Sequence, residues 1–264
     1  MPNIIYDLSK LPQEVREQIL ENPKYTKWFS EFPKKLLTIA NDAKTVKNGK
    51  KGYRTGILYL SPASKSGVNV CAMALLAQCD KPCLESAGRG AMNSVQMGRL
   101  RKTLYFNQYR EKFIDHLKYE VRLLCKYSDK HGWIPSIRPN GTSDIRWEVL
   151  LWDFMVDTKR EFGCQWYDYT KLVNRLVPDE DVYDLTFSYS GVERFQPFVK
   201  KAVKRGMRMA VVFRHQEDIP ETFMGMDCVS GDEDDLTFLS ERGVVRALYA
   251  KGKAVHDTTG FVVN

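Results

Sequence analysis

Residues 136–171 read SIRPNGTSDIRWEVLLWDFMVDTKREFGCQWYDYTK, and the fold is decided in this stretch. Ser136–Pro139 is a short strand-like run, Asn140-Gly141-Thr142-Ser143-Asp144 are turn formers, and Ile145 to Arg160 carries helical periodicity. Gln165–Tyr169 is then a second strand-like run. Strand, helix and strand in succession predict a parallel βαβ unit.

The same alternation extends both ways. Strand-like runs are expected at Arg54–Leu60, Tyr183–Ser188, Arg208–Phe213, Met226–Val229 and Val244–Tyr249. Between them, Leu104–Lys130 places Phe106, Tyr109, Phe113, Leu117, Val121 and Leu124 on one helical face, with Gly132 as its stop. A further helix over Val192–Arg205 sets Lys200, Lys201, Lys204 and Arg205 opposite Phe195, Phe198, Val199 and Ala202. The expected fold is α/β, a parallel (β/α) barrel-like domain, TIM-like or partial. Residues 1–52 are expected to form an N-terminal helical cap and basic loop, and 53–264 the barrel-like domain. In the first part, Lys44–Arg54 (KTVKNGKKGYR) reads as a phosphate-contacting loop or as plain solvated surface.

Composition bounds the function. A chain of 264 residues with 43% hydrophobic content can bury one continuous core, and its net charge of +7 favours an anionic partner. Met1 to Asp7 lacks a basic region followed by an apolar one, and no window reaches membrane-spanning length, so a cytoplasmic protein without membrane partners is expected. Six cysteines, three of them bunched, do not look like a disulfide framework.

Those three, Cys71, Cys79 and Cys83, follow the Arg54–Leu60 strand. Thiolates clustered after a strand suit a metal or an iron–sulfur cluster. On one unbroken helix Cys71 and Cys79 would stand about 12 Å apart at 1.5 Å per residue, so Cys71 must precede a turn that folds back. Three ligands leave one iron of a [4Fe-4S] cluster open to a small molecule. A zinc site would need a fourth ligand, from Asp80 or one of His116, His131, His215 and His256. Plain burial accounts equally simply for Cys71, whose neighbours are apolar, while Cys125, Cys164 and Cys228 read as structural.

Polar residues gather where the strands end. Arg138, Asn140, Asp144, Asp168, Lys171, Ser188 and Lys251 are expected to line a common mouth, the place where parallel barrels assemble their active sites. Asp144 also fits as a cap for the helix that follows. Gly88, Arg89, Gly90 and Asn93 fit a backbone nest for an anion or cofactor. Asp232, Asp234 and Asp235, with Asp168 or Asp144, fit magnesium binding in a nuclease, or simply an acidic loop.

The run LSPASKSGVNVCAMALLAQCDKPCLESAGRG, with SIRPNGTSDIRWE, YDYTK, LTFSYSG, AVVF and AKGKAVHDTTGFVV, resembles a family of tailed-phage proteins called gene product 88-like, from about Gly56 to the end. More distantly, a three-cysteine loop after a strand that leads a series of βα units resembles the radical S-adenosylmethionine superfamily, although the cysteines here are more widely spaced. The resemblances imply a phage-encoded protein of the host cytoplasm, with a [4Fe-4S] cluster and possible use of S-adenosylmethionine on a nucleic acid or nucleotide. Two other classes stay open: a non-enzymatic nucleic-acid-binding or host-interaction protein with structural zinc or no metal, and a magnesium-dependent nuclease. The oligomeric state is not legible.

Overall fold

The computed structural model describes residues 3–80 and 88–264. Among the described residues nine strands form one sheet: β1 (Leu37–Ile39), β2 (Tyr53–Leu58), β3 (Ile134–Arg138), β4 (Gln165–Thr170), β5 (Tyr183–Ser188), β6 (Met209–Phe213), β7 (Thr222–Phe223), β8 (Met226–Ser230) and β9 (Val245–Tyr249). Their order is β1-β2-β3-β4-β5-β6-β9-β8-β7. From β2 to β8 every neighbour is parallel, whereas β1 and β7 run antiparallel at the two ends. The α/β class and the parallel succession stand as expected. A closed barrel does not form, because β1 occupies the free edge of β2, and β8 with β7 occupies that of β9, where closure would have paired them.

Eight helices accompany the sheet among the described residues: α1 (Gln13–Glu21), α2 (Pro23–Phe29), α3 (Ala43–Gly49), α4 (Ala63–Ser66), α5 (Asn93–Gln108), α6 (Arg110–Lys130), α7 (Trp147–Phe162) and α8 (Gln196–Lys204). Strands β2 to β6 follow one another in space as in sequence, so right-handed crossovers deliver their helices to the same face. On that face Trp166 packs edge-on to Phe154 of α7, and Val199 and Ala202 of α8 join Met209 and Val211 in one apolar cluster. Gly56 lets the layers close there: a Cβ would stand 2.9 Å from Leu124 of α6 and 3.0 Å from Leu37, and those side chains would have to move aside.

The other face is polar yet covered. Thr55, Tyr167, Arg208 and Arg246 bond to side chains and carbonyls of α3 and of the segment 231–243, while Ser136 bonds to Thr55, and Asp184 and Thr186 accept from Arg208. Phe238 closes the layer edge-on to Tyr53 and Tyr167. The N-terminal residues share the main core, since Tyr6, Ile19, Tyr25 and Phe29 lie in one cluster with Leu58, Leu117 and Ile137.

Two elements differ from expectation. The helix over Leu104–Lys130 is two helices, because Tyr109 leaves helical geometry at φ −134° and ψ 53° and its hydroxyl donates to the Ile5 carbonyl. The Lys44–Arg54 loop is largely helix α3. Asp42 accepts from the Thr45 amide at 2.8 Å while the Thr45 hydroxyl faces the Asp42 amide, a capping box that starts a helix.

Candidate functional site

The carboxyl ends of β3, β4 and β5 carry a buried network of charges. Asp168, on the helix-facing side of β4, accepts from the Asn140 backbone amide at 3.0 Å, from Asn140 Nδ2 at 2.8 Å and from the Tyr183 hydroxyl. Asn140 holds the β3–α7 turn by accepting from Ser143 Oγ at 2.8 Å, the Ile145 amide at 2.9 Å and Trp147 Nε1 at 3.0 Å. That leaves Asp144 without a capping duty: α7 begins at Trp147 after Arg146. Asp144 instead accepts from Thr170 Oγ1 and the Lys171 amide, both at 2.8 Å, and lies 3.3 Å from Arg175. Arg175 is 1% exposed and also donates to Glu148 at 2.7 Å and to Tyr183 at 2.7 Å.

Arg138 links this network to the polar face. Its Nε is 3.9 Å from Asp168, and its Nη1 donates to both oxygens of Asp235 at 2.7 and 2.8 Å. Lys44 of α3 stands 3.3 Å from the same carboxylate, the Arg138 guanidinium lies 4.4 Å from the Tyr169 ring, and Tyr59 donates to Asp42 at 2.7 Å. Gly141 allows the turn to approach β2, since a Cβ there would meet the Leu58 carbonyl at 2.7 Å and the Tyr59 ring at 2.6 Å.

Burial sets the protonation. It pushes the Asp168 carboxyl up to about 7, against the opposing pull of Arg175 and Arg138. Burial raises Asp144 as well, with Arg175 working against it. Asp235 goes the other way: burial is outweighed by Arg138 and Lys44, and the carboxyl falls below its ordinary range. A carboxyl near neutrality, held between a phenol and an amide, can keep or release a proton at cellular pH.

The cysteine segment crosses these strand ends. Asp144 donates its backbone amide to the Val70 carbonyl at 2.8 Å, Ser190 Oγ donates to the Ala77 carbonyl at 2.8 Å, and Arg194 Nε donates to the Leu76 carbonyl at 3.0 Å. Thr259 donates to the Gln78 carbonyl at 3.2 Å. Cys71 precedes turns over 72–78, which return Cys79 so that its amide reaches the Ala74 carbonyl at 3.1 Å. Cys71 and Cys79 are half-buried, and burial raises the Cys79 thiol while Lys171 partly offsets it. Cys83 lies outside the described residues. Beside Cys79 a cavity of about 560 Å³ is lined by Leu75, Leu76, Gln78, Asp80, Arg194 and Thr259.

Arg138, Asn140 and Asp168 are therefore in direct contact, as are Asp144, Lys171 and Ser188, the last because Lys171 Nζ reaches Ser188 Oγ at 3.0 Å, and Arg175 with Tyr183 bridges the two groups. Lys251 is elsewhere, ion-paired with Asp232. Gly88, Arg89 and Gly90 form a 3-10 turn and Asn93 begins α5. The acidic loop is divided among three pairings, Asp232 with Lys251, Asp234 with Arg246 and Asp235 with Arg138. Among the described residues no group of three or more His, Cys, Asp or Glu is placed to share a metal ion. Cys125 and Cys164 are both buried in the core. Sequence reasoning missed Arg175, Glu148, Tyr183, Lys44 and Tyr59, which have no spacing signal, although Glu148 falls on the buried face of α7.

No helix among the described residues is long and apolar enough to cross a membrane. The model of the gene product 88 family matches residues 34–264, and the chain belongs to that family. Neither the curated proteins nor the solved structures contain a match.

Proposed function

We propose that this gene product 88 protein is an iron–sulfur enzyme of the radical S-adenosylmethionine type, acting on a nucleic acid or nucleotide. One observation carries the reading: the Cys71–Cys79 segment is bonded across the carboxyl ends of the parallel strands, directly over the Asp144–Asp168–Arg175 network. Catalytic loops of parallel α/β sheets occupy that end. The two described thiols fit the ligand set in kind, being soft donors on one folded turn with apolar backing.

Cys71, Cys79 and Cys83 would hold the cluster, whose open iron would supply a site for S-adenosylmethionine and one-electron chemistry. The chain's own residues do the rest. Lys171 lends positive charge beside Cys79, the cavity there admits a small ligand, and Asp168, which accepts from Tyr183 and Asn140, is placed to hold or release a proton. The test is iron, sulfide and zinc content with a visible spectrum, on protein purified without oxygen. About four irons per chain, lost in Cys71→Ala/Cys79→Ala/Cys83→Ala, is the expected result. Zinc in place of iron would move the function to a structural site, and metal-free protein would overturn the reading.

A further inference from the structure

A second surface lies on the outer side of α6 and at the amino ends of β2 and β3, away from the cysteine segment. Tyr119, Leu123 and Tyr127 follow one another at single-turn spacing along α6, and all three are exposed, Tyr119 by 62%. The helix ends at Lys130 with His131 as its cap, and Gly132, at φ 70°, turns the chain so that Trp133 and Ile134 emerge beside it, also exposed. The His131 ring is parallel to Tyr127 at 4.0 Å between centroids, and the Arg54 guanidinium lies 4.1 Å from the same ring. Three planar groups are thus already stacked at the surface.

The charge around them is mostly positive. Residues 49–54 and 119–134 contain Lys50, Lys51, Arg54, Arg122, Lys126 and Lys130 against two carboxylates, Asp129 and Glu120, the latter turned to the Leu36 and Leu37 amides. Trp133 reaches to 3.9 Å of a Cβ placed on Gly49, so the chain that carries Lys50 and Lys51 passes close to the indole. The Ile134 amide bonds to the Gly52 carbonyl at 3.0 Å and fixes the two segments together.

A monomeric soluble chain rarely exposes contiguous aromatic and aliphatic side chains without using them. An apolar partner protein would not call for six cations among the rings. Flat groups stacked at the surface, with exposed Tyr119 and Trp133 beside them and phosphate-binding cations between, match single-stranded nucleic acid, whose bases stack on aromatics while the backbone follows positive charge. We infer that the Tyr119–Ile134 edge, with Lys50, Lys51 and Arg54, is a binding surface for single-stranded nucleic acid. It does not depend on any cluster at the cysteines, so metal-free protein would leave it standing.

The experiment is fluorescence anisotropy of a labelled oligothymidylate and of a duplex of equal length, titrated with the full chain over a range of salt. The single strand is expected to bind more tightly than the duplex and to quench Trp133. Tyr127→Ala or Trp133→Ala should each weaken single-strand binding about 5- to 100-fold, the range for loss of one stacked base. Lys126→Glu/Lys130→Glu should flatten the salt dependence by about two phosphate contacts. Lys200→Glu/Lys204→Glu, on the separate basic face of α8, should change neither by more than about twofold. Unaltered thermal melting of the variants would show that they fold. Equal binding of duplex and single strand, or insensitivity to both aromatic variants, would overturn the inference. So would a chain that ignores nucleic acid but self-associates until Trp133→Ala makes it monomeric.

Discussion

At the scale of single residues, the buried carboxyl of Asp168 makes the strongest claim on pH. Its pKa is raised from 3.8 to about 7, so between those values the folded chain holds a proton that the unfolded chain has released. Stability from this group is fully present below the unfolded value and is lost as pH rises through about 7. The slope is at most about 1.4 kcal/mol per pH unit within that window. Denaturant melts from pH 4.5 to 8.5 should show this decline in the native chain and a shallower one in Asp168→Asn; parallel curves would refute it. The Arg138–Asp235 pair is different, since each partner neutralises the other in a buried place. Arg138→Met alone should cost up to about 3–5 kcal/mol, the full figure being reached only if Lys44 cannot compensate the carboxylate, and Arg138→Met/Asp235→Leu clearly less than the sum of the singles. Chemical denaturation of the four chains measures the coupling.

At the scale of elements, legibility followed periodicity. The βαβ stretch from Ser136 was visible because β4 and α7 each keep their own period, and the parallel order of strands followed from that alternation. Elements set by one or two contacts were not visible. Helix α3 depends on Asp42 and Thr45, three residues apart in a lysine-rich stretch that reads as loop by composition. Asp42→Ala should cost about 1 kcal/mol from the lost cap and free the Tyr59 hydroxyl, as judged by thermal melting. Strand β1 is three residues long and carries no alternation; its place is set from outside, by Glu120 accepting from the Leu36 and Leu37 amides, both at 2.8 Å, and by Lys102 donating to the Leu36 carbonyl at 2.6 Å. The polar cluster at the strand ends, though not a barrel mouth, was legible for a related reason: a polar residue after an apolar run marks a strand end. Which polar residue meets which is a matter of register, and so Asn140 rather than Asp144 holds the start of α7, and Lys251 pairs with Asp232 away from the network.

At the scale of the whole molecule, the family match begins at residue 34, but the core begins earlier. Tyr6, Leu8, Leu11, Ile19, Tyr25 and Phe29 are buried in the cluster that holds the sheet's first strands. Deleting residues 1–33 should therefore expose the inner faces of α5 and α6 and lower the melting temperature by well over 10 °C, or yield aggregates, as several large apolar side chains at about 1.5–3 kcal/mol each are lost. A truncated chain that melts like the full one would show that this segment is an appendage. The edges of the sheet carry a consequence of another kind. A long parallel sheet that stopped at an unpaired strand would offer neighbouring copies a row of free amides and carbonyls. Here both ends are finished by antiparallel strands of three and two residues, and at the first of them Glu120 and Lys102 already occupy the adjoining backbone groups. Such short, side-chain-blocked rims give little template for fibril growth.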